Sequence, residues 1–443
     1  MSDQFGLPRD LGNGLTLRWA TPADTEEIAA FNLRIHSDDP ENPEHFLIDW
    51  TRDLMSGSHP TTQASDFTVV TDDRDGGKIV STLCLIGQTW AYEGIPFGVG
   101  RPELVGTDAA YRRRGLVRAQ FEAVHALSAS RGHMVQAITG VPWYYRQFGY
   151  EMTVNLGGGR NYRLGLHKET KTPVDEPYKL RPATVADIPF LQELYARACA
   201  DGLLTRLRDE ALWRYEMTEA QRTSEYSRHF YVVEETAVSQ PVAYVEYRDW
   251  GQSFGVREMS VRPGHSLRAV ALFLIRSLEQ EAVLLNPERK KPYQNIHFHF
   301  GESHPIYEAL ARELPTGRPP YAWYIRVADL PGFLRHIAPV LETRLQNSVM
   351  AGHSGTVKLN FYRSQLTMVF ENGKLVDLGT YEPERLESGD ALFPELTFLK
   401  LVFGHRSMDE LDAAFADCYV NNDTAVILPI LFPKRPSRLI ELG

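Results

Sequence analysis

The stretch Glu103-Leu-Val-Gly-Thr-Asp-Ala-Ala-Tyr-Arg-Arg-Arg-Gly-Leu-Val-Arg118 decides how the chain is read. A short apolar segment runs into a turn, then into three arginines, a glycine and an amphipathic pattern. Leu116, Ala119, Ala123, Val124 and Leu127 recur close to a 3.6 period, which predicts a helix starting near Gly115. The first N–H groups of a helix lack internal partners, and the helix dipole adds partial positive charge there. An anion bound at that end satisfies both, and a glycine lets the backbone approach it. Arg112, Arg113 and Arg114 stand out against a formal net charge of −10. The reading is a diphosphate cradle at a strand–turn–helix junction. A solvated basic turn before a surface helix is the plainer alternative.

The rest of the chain bounds the setting. Its 443 residues give a prior of about three domains. With 43% hydrophobic and 23% charged residues, it has the composition of a globular protein with buried cores. No apolar run approaches the ~20 residues that a membrane-spanning helix needs. Met-Ser-Asp-Gln-Phe-Gly lacks the basic and apolar regions of a secretory signal. Cys84, Cys199 and Cys418 lie far apart, with no disulfide or metal spacing, which fits a reducing cytoplasm. The acidic balance points away from nucleic acid and toward a cationic partner.

One octapeptide occurs twice. Leu17-Arg-Trp-Ala-Thr-Pro-Ala-Asp24 returns as Leu180-Arg-Pro-Ala-Thr-Val-Ala-Asp187, differing at the third and sixth positions. The copies lie roughly 160 residues apart, about one domain. Thr21 with Asp24, and Thr184 with Asp187, have capping-box spacing, so each copy predicts a strand end followed by a helix start. The second copy has no cradle. Val256–Pro263 is its counterpart of the motif strand, and Gly264-His-Ser-Leu-Arg-Ala-Val follows without an arginine run.

Between the copies, Phe67–Val70 and Ile79–Leu85 read as a hairpin around Asp75-Gly-Gly77, and Gln88–Tyr92 with Ile95–Val99 as another turning at Glu93-Gly94. His167–Pro177 reads as a linker. Beyond Val327, Val357–Phe361 alternates as a strand and Leu366–Val376 reads as a hairpin with Asn372-Gly373 at its turn. Helical patterns flank it at Leu334–Asn347 and Met408–Ala416.

Arg112-Arg-Arg-Gly115-Leu-Val117 resembles the acetyl-CoA-binding motif of GNAT (Gcn5-related) N-acetyltransferases, Gln/Arg-x-x-Gly-x-Gly/Ala after the fourth strand. Val117 departs from the last position. Arg-Arg-Arg-Gly-Leu followed by an apolar residue and Arg118 is similar to the Eis-like branch of that family. The repeated opening looks like the first strand and helix of a GNAT domain, and the segment after Val327 resembles a sterol carrier protein-like domain. The fold class this implies is α+β (mixed α/β). It comprises two tandem GNAT-like domains, each a mixed sheet with flanking helices, and a C-terminal sterol carrier protein-like α/β domain. The boundaries expected are 1–165 for the catalytic domain, 178–326 for a second, degenerate one, and 327–443 for the carrier-like one.

The activity implied is transfer of an acetyl group from acetyl-CoA, as substrate, to a primary amine by direct attack. No metal is expected. An aminoglycoside, a polyamine or a lysine side chain would be the acceptor, and the family suggests a hexamer. Arg113, Arg114, Gly115, Leu116, Val117 and Arg118 would hold the diphosphate. Val105, Gly106 and Thr107 would align the pantetheine arm, and a backbone N–H there could face the thioester oxygen. Gly140 and Val141 match positions that contact the coenzyme.

Proton handling is needed at both ends of the reaction. A thiol has a reference pKa near 8.5 and a tyrosine about 10, so a tyrosine can protonate the leaving sulfur. Tyr145-Arg-Gln-Phe-Gly-Tyr150 matches the Eis-like Tyr-x-x-Phe-Gly-Tyr pattern, which makes Tyr145 the expected donor. An aromatic core wedge is the structural alternative for Trp143, Tyr144 and Tyr145. The family resemblance also implies that the C-terminal carboxylate, here on Gly443, takes the amine proton.

A non-catalytic acyl-CoA- or lipid-binding protein is the rival reading, and it predicts coenzyme binding without thiol release. His297 and His299 share a strand face but have no third ligand nearby, so they read as ordinary histidines. Ser354 in Gly352-His-Ser-Gly355 does not complete a nucleophile elbow.

Overall fold

The computed structural model describes residues 5–165, 176–421 and 423–440. Their contacts divide the chain into two units. The first takes the described residues up to Asn155, then Gly202–Leu207 and Ala322–Leu439. The second takes the described residues of Leu156–Asp201 and Arg208–Tyr321, with Ile440.

The first unit opens with β1 (Leu15–Trp19), α1 (Thr25–His36), α2 (Phe46–Met55), β2 (Phe67–Asp72), β3 (Lys78–Tyr92) and β4 (Ile95–Thr107). Helix α3 (Leu116–Ser130), β5 (His133–Ile138) and β6 (Glu151–Leu156) follow. The sheet runs β1, β2, β3, β4, β5, then Tyr321–Val327, then β6, with Arg9–Asp10 beyond β1 and Leu204–Arg206 beside β3. Within it β4 and β5 are parallel, while β1 to β4 are antiparallel neighbours. The two hairpins expected between Phe67 and Val99 share β3, one continuous strand of 15 residues in which Gly87 pairs with Gly100.

The capping spacing works as read. The Thr21 N–H donates to Asp24 Oδ2 at 2.7 Å, and the Thr184 N–H to Asp187 Oδ2 at 2.8 Å. Sequence reasoning missed a second clamp in each copy. Arg18 forks onto Asp24 (2.7 and 2.9 Å) and Arg181 onto Asp187 (2.7 and 2.8 Å). Each fork ties the strand end to the helix start, and each leads into a helix of 12 residues.

The second unit holds a seven-stranded sheet. Its order is Thr316–Arg318, Gly159–Arg163, Asn295–Phe298, Ser253–Val261, Gln240–Trp250, Phe230–Glu235, Tyr178–Pro182. Here too one pair is parallel, Ser253–Val261 with Asn295–Phe298. The helix Leu267–Leu285 buries Val270, Phe273, Leu274, Ile275 and Leu278 in a core with Tyr162, Val245, Val256, Ile296 and Phe298.

A five-stranded sheet completes the first unit: Lys374–Gly379, Gln365–Glu371, Gly355–Asn360, Ala391–Leu392, Tyr419–Val420. The hairpin turns at Asn372 (φ 47°) and Gly373 (φ 78°), and the Ser354 hydroxyl accepts the Asn372 N–H at 2.8 Å. That serine therefore serves the turn. The helical pattern at Leu334–Asn347 divides into Leu330–His336 and Ala338–Gln346. Pro339 sits in the first turn of the second piece, where its missing N–H costs nothing. The Tyr92 hydroxyl donates to the Val402 carbonyl at 2.8 Å, and Lys400 Nζ pairs with Glu151 at 2.8 Å, so this sheet's helices grip the first sheet. Among the described residues, no helix is long and apolar enough to cross a membrane.

Candidate functional site

The site is built where β4 leaves β5. Their parallel register ends at Gly100 with Gln136, so β4 runs on from Arg101 to Thr107 without β5 beside it. Against β3 the register slips between Thr82 and Cys84, placing Leu104 and Val105 opposite Leu83 alone. Leu104 has φ 52°, a strained value for a branched side chain and the mark of a bulge. The bulge is pinned: the Thr82 hydroxyl donates to the Leu104 carbonyl at 3.0 Å. The Ser81 hydroxyl lies 2.7 Å from the Gly106 carbonyl, 2.8 Å from the Thr107 hydroxyl and 2.7 Å from Gln120 Oε1. Ser81 thus fixes the end of β4 to α3, and the buried Gln120 amide donates onward to the Thr68 carbonyl at 3.2 Å.

The two faces of the bulge differ. Val105 packs with Phe121, Val124, Leu127 and Tyr145 on the α3 side. Gly106 faces α1, where a Cβ would meet Ile35, Phe31 and His36 at 3.0 to 3.2 Å.

The turn after β4 is a short 3-10 helix, Ala109–Tyr111, capped by the Asp108 carboxylate on the Ala110 N–H. Arg113 then takes φ 62° and Gly115 φ 78°, with Arg114 between them on the ordinary side. This alternation turns successive N–H groups toward one concavity, an arrangement that binds anions. Helix α3 starts at Leu116 with Gly115 at its N-cap and no side chain on its free N–H groups. A Cβ on Gly115 would meet nothing within 4 Å, so the approach is open.

The arginines are exposed and not equivalent. Arg112 donates to the Thr107 carbonyl at 3.4 Å. Arg114 lies over the Tyr111 ring and donates to the Ala110 carbonyl at 3.0 Å. Arg118 lies over Phe148 and donates to Gln147 Oε1 at 3.1 Å, tying α3 to the turn after β5.

Beyond β5, Gly140 takes φ 111° and, with Val141, is exposed. Trp143 (φ 68°) then opens a 3-10 turn, Tyr144–Phe148. Tyr145 is 5% exposed and packs edge-on to Phe121, Tyr144, Tyr150 and Tyr324, with centroids 5.3 to 6.3 Å apart. Tyr145 is part of an aromatic wedge, and its hydroxyl lies 3.9 Å from where a Gly140 Cβ would stand. The phenol tip is thus near Gly140, just past the end of β5.

Around it, burial and Arg326 pull His125 down to about 3, and burial pushes the Tyr150 hydroxyl up. The two side chains meet at 2.8 Å as neutral groups. Tyr324 comes from a strand far along the chain and accepts the Trp143 N–H. Nothing in the local pattern around Tyr145 signals it.

The candidate residues Val105, Gly106, Thr107, Arg113 to Arg118, Gly140, Val141 and Tyr145 thus all belong to the first unit, on β4, α3 and the end of β5. Gly443 lies outside the described residues. His297 lies on a strand of the second unit and His299 just past its end, with ring centroids 3.8 Å apart, and His297 Nδ1 contacts Asn161. Among the described residues, no three His, Cys, Asp or Glu side chains group as a metal site. A polar cavity of about 520 Å³ lies at the other end of β4, around Gly98, Asp66, Arg131 and His133, away from these residues.

Residues 18–153 match the family model of an acetyltransferase (GNAT) domain. No curated protein matches the chain by sequence. Solved structures match nearly its whole length, among them the following three. A conserved Enterococcus faecalis protein of unknown function, a "probable N-acyltransferase", is 15% identical with a TM-score of 0.66, over 96% of this chain and 97% of that one. A GCN5-related N-acetyltransferase from Kribbella flavida is 16% identical with a TM-score of 0.63, over 96% and 97%. Eis1 from Mycobacterium abscessus is 14% identical with a TM-score of 0.58, over 96% and 100%. At these identities the likeness is one of fold.

Proposed function

We propose that this chain, which carries a GNAT acetyltransferase domain at residues 18–153, is an Eis-like N-acetyltransferase that moves an acetyl group from acetyl-CoA to a primary amine. The observation that carries the reading is the open N-terminus of α3 beside the parted strands β4 and β5. Free N–H groups at Leu116, Val117 and Arg118, with the concavity at Arg113–Gly115, suit a diphosphate. Coulomb attraction from Arg113, Arg114 and Arg118 adds to it. From there the gap between β4 and β5 offers backbone at Val105–Thr107 that has no partner on β5 for an amide-bearing arm. In this reading a backbone N–H in the bulge stabilises the thioester oxygen as charge develops on it.

The chemistry is direct attack, without an acyl-enzyme. Tyr145, whose hydroxyl stands at the gap by Gly140, supplies a proton to the departing sulfur. The acceptor is an aminoglycoside, a polyamine or a lysine-like amine. The second unit, with its own parallel strand pair, is read as a degenerate GNAT-like domain, and the five-stranded region as the sterol carrier-like one. A hexamer and a cytoplasmic location are expected by resemblance.

The test is thiol release from acetyl-CoA against a panel of amines. Amine-dependent release supports the reading. Coenzyme binding with no release for any amine overturns it in favour of a non-catalytic acyl-CoA-binding protein.

A further inference from the structure

Trp143, two residues before Tyr145, is 71% exposed. Its backbone takes φ 68°, a conformation unfavourable for a bulky residue. Strain of this kind persists only where the surroundings over-determine it. They do so here. The Trp143 N–H donates to the Tyr324 hydroxyl, 181 positions along the chain. Arg146 lies over the indole, 4.1 Å from its centroid. Arg146 in turn donates to Glu151 Oε1 at 2.6 Å, and Lys400 Nζ meets the same oxygen at 2.8 Å. A water-exposed indole is thus held at its backbone and on one face, with a buried carboxylate fixing the group that covers that face.

These contacts also tell which side of the sheet the indole belongs to. Successive residues of a strand face opposite ways. Met152 of β6 packs into the cluster of Phe121, Val124 and Leu127 on the α3 side. Glu151 therefore faces the other side, where the helix Phe398–Val402 brings Lys400 to it. Tyr145 packs into the α3 cluster, whereas Trp143 is fastened toward the opposite face by way of Arg146. In the acyl-transfer reading the coenzyme is held from α3, which leaves that opposite face to the attacking amine.

The ring limits what can rest on it. One face carries the Arg146 guanidinium, and the other is left to solvent. A second cation on the open face would be drawn by the indole but repelled by Arg146 behind it. A neutral aromatic ring meets no such repulsion and stacks offset on an indole. We propose that the open face of Trp143 stacks against an aromatic ring of the acceptor, so that the chain acetylates arylalkyl primary amines, a class outside those the family resemblance implies.

This rests on the acyl-transfer reading. Two residues of chain span at most ~7 Å, so a ring on Trp143 leaves its amine, a short alkyl arm away, within reach of a thioester beside Tyr145. Trp143 makes and breaks no bond. It sets which amine binds, and its effect falls on KM for the amine and not on kcat.

The experiment measures thiol release at saturating acetyl-CoA with phenylethylamine, its saturated analogue cyclohexylethylamine, and diaminobutane. The proteins are the wild type, Trp143→Ala and Trp143→Phe. In the wild type KM for phenylethylamine should lie about fivefold below that for cyclohexylethylamine, which has the same reach and apolar bulk without a π face. Trp143→Ala should raise KM for phenylethylamine about tenfold, and Trp143→Phe should keep it within about threefold of the wild type. KM for diaminobutane, KM for acetyl-CoA and kcat should stay within about twofold in both variants. Equal wild-type KM for the aromatic and saturated amines overturns the proposal. So does a rise in Trp143→Ala that is common to all three amines, or one confined to acetyl-CoA. Where Trp143→Ala does not fold, the wild-type pair of amines decides. Release with diaminobutane but not with phenylethylamine overturns this proposal alone. No release with any amine, despite acetyl-CoA binding, overturns the acyl-transfer reading itself.

Discussion

The helices that connect the strands of the two parallel pairs begin differently. In the first unit Gly115 caps α3 with bare backbone, φ 78°, and leaves its first N–H groups to whatever arrives. In the second, Ser266 caps Leu267–Leu285 and its hydroxyl accepts the Ala269 N–H at 3.2 Å. The strands before them differ in the same sense. Pairing of β4 with β5 stops at Gly100, four positions before the bulge at Leu104. Pairing of Ser253–Val261 with Asn295–Phe298 continues to Val256, where the His299 N–H also bonds at 2.8 Å, directly before the slip opposite Glu246 and Tyr247. One helix end is closed by its own side chain and one gap by its own strand. The other pair stays open. What sets the first unit apart is a set of backbone hydrogen bonds left unmade, where the second unit makes more of them.

The sharpest test removes the chemistry and leaves the opening. Tyr145→Phe should lower kcat about 100-fold while acetyl-CoA binding stays within about twofold, checked by thiol release and calorimetry. Unchanged turnover would reduce Tyr145 to its place in the aromatic wedge.

Closing the opening comes next. Gly115→Ser makes the first helix resemble the second by setting a hydroxyl at the N-cap, and it strains a backbone at positive φ. Acetyl-CoA affinity should fall about tenfold, through the occupied N-terminus and a strain of about 1 kcal/mol. Arg113→Ala should weaken binding less and flatten its dependence on salt, since exposed charges act through screened attraction. Equal affinity in both variants would mean that the diphosphate lies elsewhere.

The reverse change in the second unit should touch stability alone. Ser266→Ala removes a cap and should cost about 1 kcal/mol, seen in chemical denaturation, with no change in kcat or acetyl-CoA affinity. A loss of activity would bring that helix end into the reaction.

The smallest effect tests what the units share. The Arg18 hydrogen bonds and those of Thr21 hold the Asp24 carboxyl at about 2, below its ordinary 3.8, against the opposing pull of burial. Arg181 does the same for Asp187, also to about 2. A carboxylate with a depressed folded pKa lends stability above its ordinary value and loses it as pH falls toward the folded one. Asp24→Asn and Asp187→Asn should therefore each flatten the decline in melting temperature between about pH 4 and 2, by similar amounts. A flattening in one alone would break the equivalence of the two forks.

These features differ in how far they could be read from the sequence. The capping boxes, the Asn372-Gly373 turn and the start of α3 are interactions between residues a few positions apart, and their spacing announces them. Tyr145 was legible through its pattern, but the rings that hold it, Phe121 and Tyr324, are not neighbours in sequence. The Arg18 and Arg181 forks were present in the repeated octapeptide, yet nothing in a lone arginine says which carboxylate it will meet. The approach of His36 to Gly106 had no signal: the histidine ends an ordinary helix, and the glycine comes 70 positions later.

The sequence by itself determined the short-range parts of this protein: a repeated strand-end and cap, an arginine–glycine turn after a strand, and a helix with an undefended N-terminus. Tertiary structure alone decided the rest. It placed Tyr321–Val327 between β5 and β6, and Gly159–Arg163 beside Asn295–Phe298, so each sheet takes a strand from elsewhere in the chain. It also decided that β4 and β5 part before the bulge. The reason is physical. A cap closes a hydrogen bond within one turn, at little entropic cost and with few alternatives. A strand edge can pair with any other edge, and which one it takes is settled by the packing of the whole sheet.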